Sequence, residues 1–431
     1  MKANNSTSAP ARRAAVGAAC AAWLLGAGNA ARADEPGDAP ELQFSAGYIG
    51  DLRRNTTGGL EVGTAYSHRL DLGLTWNTSA FGNPVTANLS VMHLGGDAVS
   101  GDLVGDLQGI NNIEAPDGWR LYESWVEMSF GESTSTFRAG VLDLNAEFDT
   151  PVSQAVFVAS PFGIGTELAQ TGLRGPVVWP TTGLGMRASG AITDHLVWRA
   201  GAYDGAPGTE DDAFTSFELS SEEGALLIGE IEYSSERIHK ASLGSWAYTA
   251  AFERIDAPLL ADPVPEHGNQ GFYASLDAGL GAVAGIDLDA SIRAGTAPAR
   301  FNVVDRYVGA AMTATHFWKA RPGDTLGFGV AYAHVGTPWQ AVNDSEGTPA
   351  TSAETVCELV YRAELAPWIA LVPSIQYVDS PGALQGVDDS WVFGMRFELA
   401  AEHGWHLAAR QGRPGDDIYA RRDAAAPRGN K

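Results

Sequence analysis

Carboxylates and an aromatic ring alternate with uncharged residues in one segment of this chain. Glu123, Trp125 and Glu127 occupy every second position there. Carboxylates accept hydrogen bonds from hydroxyl groups, and an aromatic ring that faces water is poorly solvated unless something stacks on it. If the three side chains share one face of a strand, they form a surface of hydrogen-bond acceptors around an aromatic ring. The alternative is that Trp125 packs beneath an infolded loop, because aromatic side chains favour burial.

Arginines recur in a matching pattern. The tripeptide Arg-Ala-Gly begins at Arg138, Arg199 and Arg293, and Arg187 lies in a similar alternating segment. Guanidinium groups donate charge-assisted hydrogen bonds to oxygen atoms, and the neighbouring glycines leave room for them to lie along a wall. Two interpretations stay open and are compatible: the arginines brace a wall by pairing with carboxylates, or they line a charged constriction.

These side chains can only meet on one face if the segments are β-strands. In 272–280 and 286–295, apolar residues occupy every second position, and the charged residues fall between them. A period of two places successive side chains on opposite faces of a strand. Charge on one face and apolar residues on the other indicate a closed barrel with an apolar outside and a wet inside.

Alternation and bounding turns predict sixteen strands, an even number as in single-chain bacterial barrels. We therefore predict an all-β fold, a transmembrane antiparallel up-and-down β-barrel. Fourteen strands are clear and two, at 42–49 and 87–93, are weaker. The clear strands are 70–76, 118–130, 136–144, 183–191, 196–203, 225–233, 243–252, 271–280, 286–295, 304–313, 325–334, 354–364, 369–378 and 391–399.

The connections between these strands are of two kinds. Ala366-Pro367-Trp368 and Thr193-Asp194-His195 read as tight turns, whereas the long connections are rich in Gly, Pro, Asp, Ser and Thr. Alternating lengths predict short periplasmic turns on one rim and long extracellular loops on the other. The longest connection, 145–182, either folds into the lumen or lies over the outer rim. The long connections are 94–117, 145–182, 204–224 and 335–353.

The two ends of the chain differ from the barrel, predicted at 34–399. Basic residues, an apolar stretch at 14–28 and the sequence Ala31-Arg32-Ala33 predict a cleaved signal peptide over 1–33. The apolar stretch is too short to span a bilayer, which takes about 20 residues, and Gly17 disfavours a lipid anchor at Cys20. Alternation stops after Leu399, so 400–431 is predicted to be a flexible tail.

Composition excludes several classes of function. The formal net charge is −24 and becomes −28 without residues 1–33, which contain four basic and no acidic residues. Such acidity argues against a nucleic-acid partner. Only Cys357 then remains, so no intrachain disulfide can form. We expect no cofactor and no metal, because the acidic segment 204–212 lacks the spacing of a calcium loop and reads better as a solvated loop.

Several longer motifs resemble the OprB-type carbohydrate-selective porins, and together they span roughly 42–399. The resemblance implies a sixteen-stranded barrel in the outer membrane of a Gram-negative bacterium that passes small sugars, with a preference for glucose-like monosaccharides in some members. It also implies a narrowed lumen lined by charged and aromatic residues. The motifs are 105–123, 138–149, 160–165, 224–228 and 373–382.

The resemblance adds Arg120 and Asp143, which lie in matched motifs, to the candidates found from alternation. The expected partners are small sugars and membrane lipid, and by analogy with sixteen-stranded porins the protein is a homotrimer or a monomer. We predict passive, carbohydrate-selective diffusion through a lumen constriction. The expected constriction residues are Arg120, Glu123, Trp125, Glu127, Arg138, Asp143, Arg187, Arg199 and Arg293.

Three other functions are compatible with parts of this pattern. A general diffusion pore would have the same barrel without sugar selectivity. An outer-membrane hydrolase would need a Ser–His–acid constellation, but the chain has no Gly-x-Ser-x-Gly motif, so we predict that it is not an enzyme. A structural or adhesive barrel with a plugged lumen would differ by showing no conductance.

Overall fold

The chain folds into sixteen strands in a computed structural model that describes residues 41–130, 135–208, 220 and 222–406. The strands are β1 (Glu41–Gly59), β2 (Gly63–Ala80), β3 (Asn83–Gly96), β4 (Gly118–Phe130), β5 (Ser135–Leu142), β6 (Gly183–Thr193), β7 (Leu196–Asp204), β8 (Ala225–Tyr233), β9 (Ile238–Tyr248), β10 (Gln270–Val283), β11 (Ile286–Thr296), β12 (Val304–Thr315), β13 (Thr325–Val335), β14 (Ala353–Ala366), β15 (Ile369–Asp379) and β16 (Asp388–His406).

The strands close into one barrel. Each pairs antiparallel with its neighbours in the sequence, and β16 pairs with β1 from Glu41↔His406 to Gly59↔Asp388. Closure leaves no unpaired sheet edge, which a barrel needs in order to satisfy its backbone groups in a bilayer. The predicted fold class and strand number are therefore confirmed.

The connections separate into two rims. The links from even to odd strands include the two-residue turns 81–82, 194–195, 284–285 and 367–368, and we call this end the short-turn rim. The links from odd to even strands include 97–117, 143–182 and 336–352, and this end is the long-loop rim. The two ends of the barrel sequence, in β1 and β16, lie at the short-turn rim.

The helices that the structure describes lie in connections of the long-loop rim. The α-helices are α1 (Thr166–Ala169) and α2 (Thr337–Glu346), the 3-10 helices are Leu144–Ala146, Ser153–Val156, Ser160–Phe162, Ala257–Leu259 and Pro381–Ala383, and a π-helix covers Val99–Val104. Among the residues that the structure describes, no helix is long and apolar enough to cross a membrane.

The two faces of the strands differ as alternation predicted. On β10, Phe272 is 60% exposed at the outer surface, whereas Tyr273 and Asp277 are buried inside. On β11, Ile292 is 50% exposed and Arg293 is 1% exposed. Apolar side chains on the outside fit hydrocarbon, because a charge at mid-depth on the lipid face is costly.

One bulge overturns the alternation predicted for β4. Ser90 of β3 pairs with Glu123 and Val91 pairs with Leu121, so Tyr122 is an extra residue in the ladder. A bulge inserts one residue and shifts the side-chain parity beyond it. Strict alternation from Glu123 would place Tyr122 on the outer face with Val126, whereas Tyr122 is buried inside the barrel beside Glu123.

The end of the barrel also differs from the prediction. Strand β16 does not stop at Leu399 but continues to His406, because β1 supplies ladder partners as far as Glu41. Ala400 and Ala401 are small enough for either face, so the alternation that marks a strand is lost there although backbone pairing continues. The predicted tail boundary at 400 was therefore wrong. The predicted signal peptide and residues 407–431 lie outside the described residues.

The inside of the barrel is less wet than the alternation predicted. Apolar clusters fill much of it where infolded connections meet the wall. Leu144, Phe148 and Leu168 of the connection between β5 and β6 pack against Leu226 and Trp246 of the wall. The lumen is therefore partly a packed core, and its charged side chains are distributed around that core.

Candidate functional site

Loop 143–182 crosses the lumen and is fastened to the opposite wall. Arg293 of β11 donates to Asp149 at 2.6 Å (Nη2–Oδ2) and to Glu167 at 2.7 Å (Nη1–Oε2). The three side chains are 1% exposed or less, and the guanidinium carbon lies 5.0 Å from the ring centre of Tyr307. Of the two positions left open by the sequence, loop 143–182 thus takes the one inside the lumen.

Two glycines make this contact possible. A Cβ atom at Gly165 would lie 1.7 Å from Nη1 of Arg293, and one at Gly295 would lie 1.7 Å from Oε1 of Glu167. Gly295 ends an Arg-Ala-Gly tripeptide, and its lack of a side chain lets the Glu167 carboxylate reach Arg293. The glycine of another repeat, Gly201, instead makes room for the ring of Tyr203.

Carboxylates on the wall hold the backbone of loop 143–182. Glu358 of β14 accepts from the backbone N–H groups of Val158 and Ala159, both at 2.9 Å. Asp277 of β10 accepts from those of Val152 and Ser153 at 3.2 and 3.0 Å. A buried backbone N–H needs a partner, and each of these carboxylates satisfies two consecutive ones. Glu358 and Asp277 are therefore loop anchors.

Loop 97–117 also folds inward, which the sequence analysis did not predict. Glu354 of β14 accepts from the backbone N–H groups of Leu107 and Gln108 at 2.6 and 3.0 Å. Arg396 of β16 donates to the side-chain oxygens of Asn111 and Asn112 at 3.0 and 2.8 Å. This loop is thus fixed to the same wall by the same kind of contact.

The two infolded loops are joined to each other. The backbone N–H of Asn112 donates to Val158 at 2.9 Å, and that of Ser160 donates to Gly109 at 2.8 Å. Gln108 accepts from Thr166 at 3.4 Å. Both loops are anchored to strands between β10 and β16, and loop 143–182 also contacts Glu230 of β8 and Lys240 of β9.

Buried carboxylic acids stabilise loop 97–117 from within. Glu114 accepts from the backbone N–H groups of Ser100 and Gly101 at 2.9 and 3.1 Å, and its burial raises the pKa to about 7. Asp106 accepts from Gly109 at 2.6 Å, and burial raises the pKa of Asp106 to about 6. Burial disfavours the charged form of a carboxyl group, which is why both pKa values lie above their usual range.

A cavity of about 530 Å³ lies against the wall formed by β4 to β9. Small-molecule sites have volumes of about 300–1,000 Å³. The hydroxyl groups of Thr136, Thr150 and Ser189 contribute to its lining, and charged residues make up most of the rest. The charged residues that line it are Glu127, Arg138, Glu147, Arg187, Arg199, Glu232 and Lys240.

Four of these side chains form an alternating square, which we call the first quartet: Glu127, Arg138, Glu147 and Arg187. Arg138 pairs with Glu127 at 3.0 Å and with Glu147 at 2.8 Å. Arg187 pairs with Glu127 at 2.6 Å and with Glu147. Each arginine thus contacts both carboxylates, and the formal charges of the quartet cancel.

The second quartet, Arg199, Glu230, Glu232 and Lys240, continues along the same wall. Arg199 pairs with Glu232 at 2.6 Å and with Glu230 at 3.3 Å. Lys240 lies 3.4 Å from Glu232 and 3.5 Å from Glu230, and it donates to Thr150 of loop 143–182 at 2.9 Å. This quartet is also formally neutral, so the cavity combines many donors and acceptors with balanced charge.

Trp125 faces inward but one face of its ring is occupied. The guanidinium carbon of Arg138 lies 3.8 Å from the ring centre, and the ring also packs against the cluster of loop 143–182. This arrangement matches the packing alternative that the sequence left open for Trp125. The tryptophan holds Arg138 in the first quartet by a cation–π contact.

The nine predicted residues fall into three groups. Glu127, Arg138, Arg187 and Arg199 line the cavity together. The other five do not line it, and Trp125 lies behind Arg138. The remaining four, Arg120, Glu123, Asp143 and Arg293, are buried with the infolded loops.

The buried four take part in the packing of the loops. The side chain of Asp143 accepts from Tyr122 at 2.7 Å and from the backbone N–H of Asn145 at 2.8 Å. Glu123 accepts from the backbone N–H of Asp143 at 3.3 Å, and Arg120 donates to the carbonyl of Pro116 at 3.2 Å. Burial raises the pKa of Asp143 to about 6. These residues therefore fix where the loops leave the wall.

The sequence analysis missed Glu147, Glu232 and Lys240. Glu147 lies in the matched motif 138–149, which was the signal that could have found it. Glu232 shares the inward parity of Glu230 on β8, a predicted strand. Lys240 lies on β9, whose start was placed five residues too late, at Leu243 instead of Ile238.

Among the residues that the structure describes, no three His, Cys, Asp or Glu side chains are grouped to hold a metal ion. The acidic segment 204–212 is described only as far as Gly208. Asp204 accepts there from the backbone N–H of Ala206 at 3.0 Å, a contact that closes a turn.

Comparison with known proteins places the chain in one family. Residues 61–400 match the carbohydrate-selective porin family OprB, and the chain belongs to this family. Its members are channels rather than enzymes, which agrees with the prediction from the sequence. The family assignment and the sixteen-stranded fold predicted from the motifs are thus confirmed.

Individual relatives are distant but nearly full-length. Porin B of Pseudomonas aeruginosa is 23% identical over 432 aligned positions, which cover 87% of this chain and 90% of the relative. The high-pH structure of Pseudomonas putida OprB is 20% identical with a TM-score of 0.73, covering 84% of this chain and 94% of that one. A mutant of the Rh. blastica porin is 12% identical with a TM-score of 0.51, covering 84% and 100%. These similarities support the barrel architecture.

Proposed function

We propose that this protein mediates passive diffusion of small neutral sugars, of the size and shape of glucose, and that the cavity against β4 to β9 is its constriction. The observation that carries the proposal is the pair of neutral quartets on one wall. A sugar has no charge for a net field to attract, so it must exchange hydrogen bonds with water for hydrogen bonds with the wall. Carboxylates accept from its hydroxyl groups, and guanidinium groups donate to its oxygens.

The charge balance of the cavity favours a neutral solute in a second way. Arg138, Arg187 and Arg199 each pair with two carboxylates. An entering ion would be attracted by wall charges of one sign and repelled by nearby charges of the other, so its net interaction energy with the wall would be small. A hydroxylated ring can bridge donors and acceptors together, and a channel requires binding firm enough for entry and weak enough for exit. We expect millimolar affinity, about 4 kcal/mol.

The predicted residues outside the cavity act on the pathway through the loops. We infer that Arg293, Asp143, Glu123 and Arg120 hold loops 97–117 and 143–182 in place, and that Trp125 holds Arg138. This supports a pathway whose width is fixed by buried anchors on one side and whose chemistry is set by the quartets on the other.

The outer surface of the barrel and the family bear on the location of the protein. We infer that it resides in the outer membrane of a Gram-negative bacterium, since exposed outward residues such as Phe328, Phe393 and Ile292 form an apolar band. Monomer and homotrimer are both compatible with the barrel. Sedimentation of the detergent-solubilised protein distinguishes them.

Liposome swelling tests the proposed function. Purified protein in vesicles should admit glucose faster than a non-sugar polyol of similar size, and conductance should fall when glucose is added. Equal rates for both solutes would make the protein a general diffusion pore. Absence of any conductance would indicate a plugged barrel instead.

A further inference from the structure

Three members of the first quartet belong to the barrel wall and one does not. Glu127, Arg138 and Arg187 lie on β4, β5 and β6, where ladder hydrogen bonds fix their backbones. Glu147 lies on loop 143–182 and reaches both arginines from the lumen side. The positive charge of Arg138 and Arg187 is therefore balanced only when loop 143–182 places the Glu147 carboxylate beside them.

Contacts on both sides of Glu147 fix its position. Two residues before it, Asn145 donates from its side chain to the carbonyls of Phe148 and Asp149, both at 3.1 Å. Two residues after it, the backbone N–H of Asp149 donates to Glu230 at 3.0 Å, and the Asp149 carboxylate binds Arg293. Glu147 is thus held between two anchored residues.

Without Glu147, the first quartet would carry a net positive charge. Arg138 and Arg187 would then share only Glu127, which leaves one formal positive charge on the first quartet while the second quartet stays neutral. The side chains of Arg138, Glu127 and Glu147 are 16–19% exposed and face the cavity. A charge there acts on ions in a narrow space with low-dielectric walls, where its field is weakly screened.

We propose that Glu147 is a specificity-determining residue that makes the cavity select neutral sugars over anionic ones. The inference rests on the proposed function and gives its basis for discrimination. The carboxylate of Glu147 neutralises the charge of the second arginine of the wall. Loss of that carboxylate should convert the channel into one that prefers anions, from chloride to carboxylated sugars of the size of gluconate.

The test is a reversal-potential measurement on single channels in a planar bilayer. Wild-type protein, Glu147→Gln and Glu147→Asp are compared under gradients of potassium chloride and of potassium gluconate. In the Gln variant, the permeability ratio of anion to cation should rise by on the order of fivefold, as expected for one uncompensated charge in a confined site. The Asp variant keeps the charge and should stay near the wild-type ratio.

A matched control separates a local effect from a change in total charge. Glu346 on α2 is exposed at the long-loop rim, so Glu346→Gln makes the same chemical change outside the cavity and should leave the ratio unchanged. An unchanged ratio in Glu147→Gln would overturn the inference. So would an equal change in the Asp and Gln variants, because it would show displacement of the loop.

The outcome is independent of the sugar assay. If wild-type protein shows no preference for glucose over a non-sugar polyol, the proposed function fails whatever the ion ratios. If that preference is present and Glu147→Gln leaves both ion ratio and gluconate permeation unchanged, only the role of Glu147 fails.

Discussion

Arg293 and Glu167 meet inside the barrel as a bidentate pair, with Nη1–Oε2 at 2.7 Å and Nη2–Oε1 at 2.8 Å. One residue belongs to β11 and the other to α1, and neither side chain is more than 1% exposed. A second carboxylate, Asp149, binds the same guanidinium. Arg293 thus attaches loop 143–182 to the far wall through two buried carboxylates.

Removal of Arg293 should release the loop. Arg293→Ala leaves two buried carboxylates without their partner, and breaking a buried ion pair in this way costs about 3–5 kcal/mol. We expect a larger single-channel conductance with more noise, and a lower thermal unfolding temperature in detergent. Arg306→Ala is the control, because that arginine is 59% exposed and should change neither quantity. Wild-type conductance in Arg293→Ala would show that other contacts suffice to hold the loop.

Substitution of Gly165 should reproduce this effect without removing a charge. In Gly165→Ala, the new methyl group would lie 1.7 Å from Nη1 of Arg293, so the arginine or the loop must move. Conductance should rise and the unfolding temperature should fall in the same direction as in Arg293→Ala. Gly386→Ala is the matched control, since a Cβ there meets nothing within 4 Å. If Gly165→Ala and Gly386→Ala have the same conductance and the same unfolding temperature, the packing described for Gly165 is contradicted.

The stability of loop 97–117 should depend on pH. The pKa of Glu114 is raised to about 7 by burial, so the folded loop binds a proton that the unfolded loop has released. This contribution is fully present at pH values below the unfolded pKa, near 4.5, and is lost as the pH rises toward 7. Asp106, with a pKa of about 6, acts in the same direction.

Thermal unfolding measured at pH 5 and pH 8 checks the sign. The unfolding temperature of the wild-type protein should be higher at pH 5, and Glu114→Gln should show a smaller difference between the two values. Glu402→Gln, at an exposed position of β16, should retain the wild-type difference. An unfolding temperature that rises from pH 5 to pH 8 and is insensitive to Glu114 would contradict the assignment.

Alternation was enough to find the barrel because a lipid-facing strand must separate charge from apolar surface at every second residue. Strands such as β4 and β8 were predicted with their observed bounds. Alternation gave the wrong face or the wrong strand end where the residue type does not distinguish the inside of the barrel from the outside. Tyr122 is amphipathic and its bulge is a backbone feature, whereas Ala400 and Ala401 continue β16 without any polarity pattern.

The site was harder to predict because inward charge serves two purposes that look the same in a sequence. Arg199 lines the cavity and Arg293 anchors a loop, yet both occur in the same Arg-Ala-Gly context. What separates them is the course of loop 143–182, and a loop has no period to reveal it. Glu147 and Thr150 reach the cavity only because of that course.

Trp125 gives a test of how the arginines are held. Its ring supports the Arg138 guanidinium at 3.8 Å, so Trp125→Ala should let Arg138 leave the first quartet and should weaken the preference for glucose in liposome swelling. A cation over an aromatic ring contributes about 0.5–2 kcal/mol, which corresponds to a change of roughly two- to thirtyfold. Trp125→Phe keeps a ring at this position and should lie between alanine and wild type. Trp198→Ala is the control on the outer face, where that side chain is 37% exposed, and it should leave sugar preference unchanged. If Trp125→Ala keeps the wild-type swelling profile, Arg138 does not depend on the ring and Trp125 leaves the pathway.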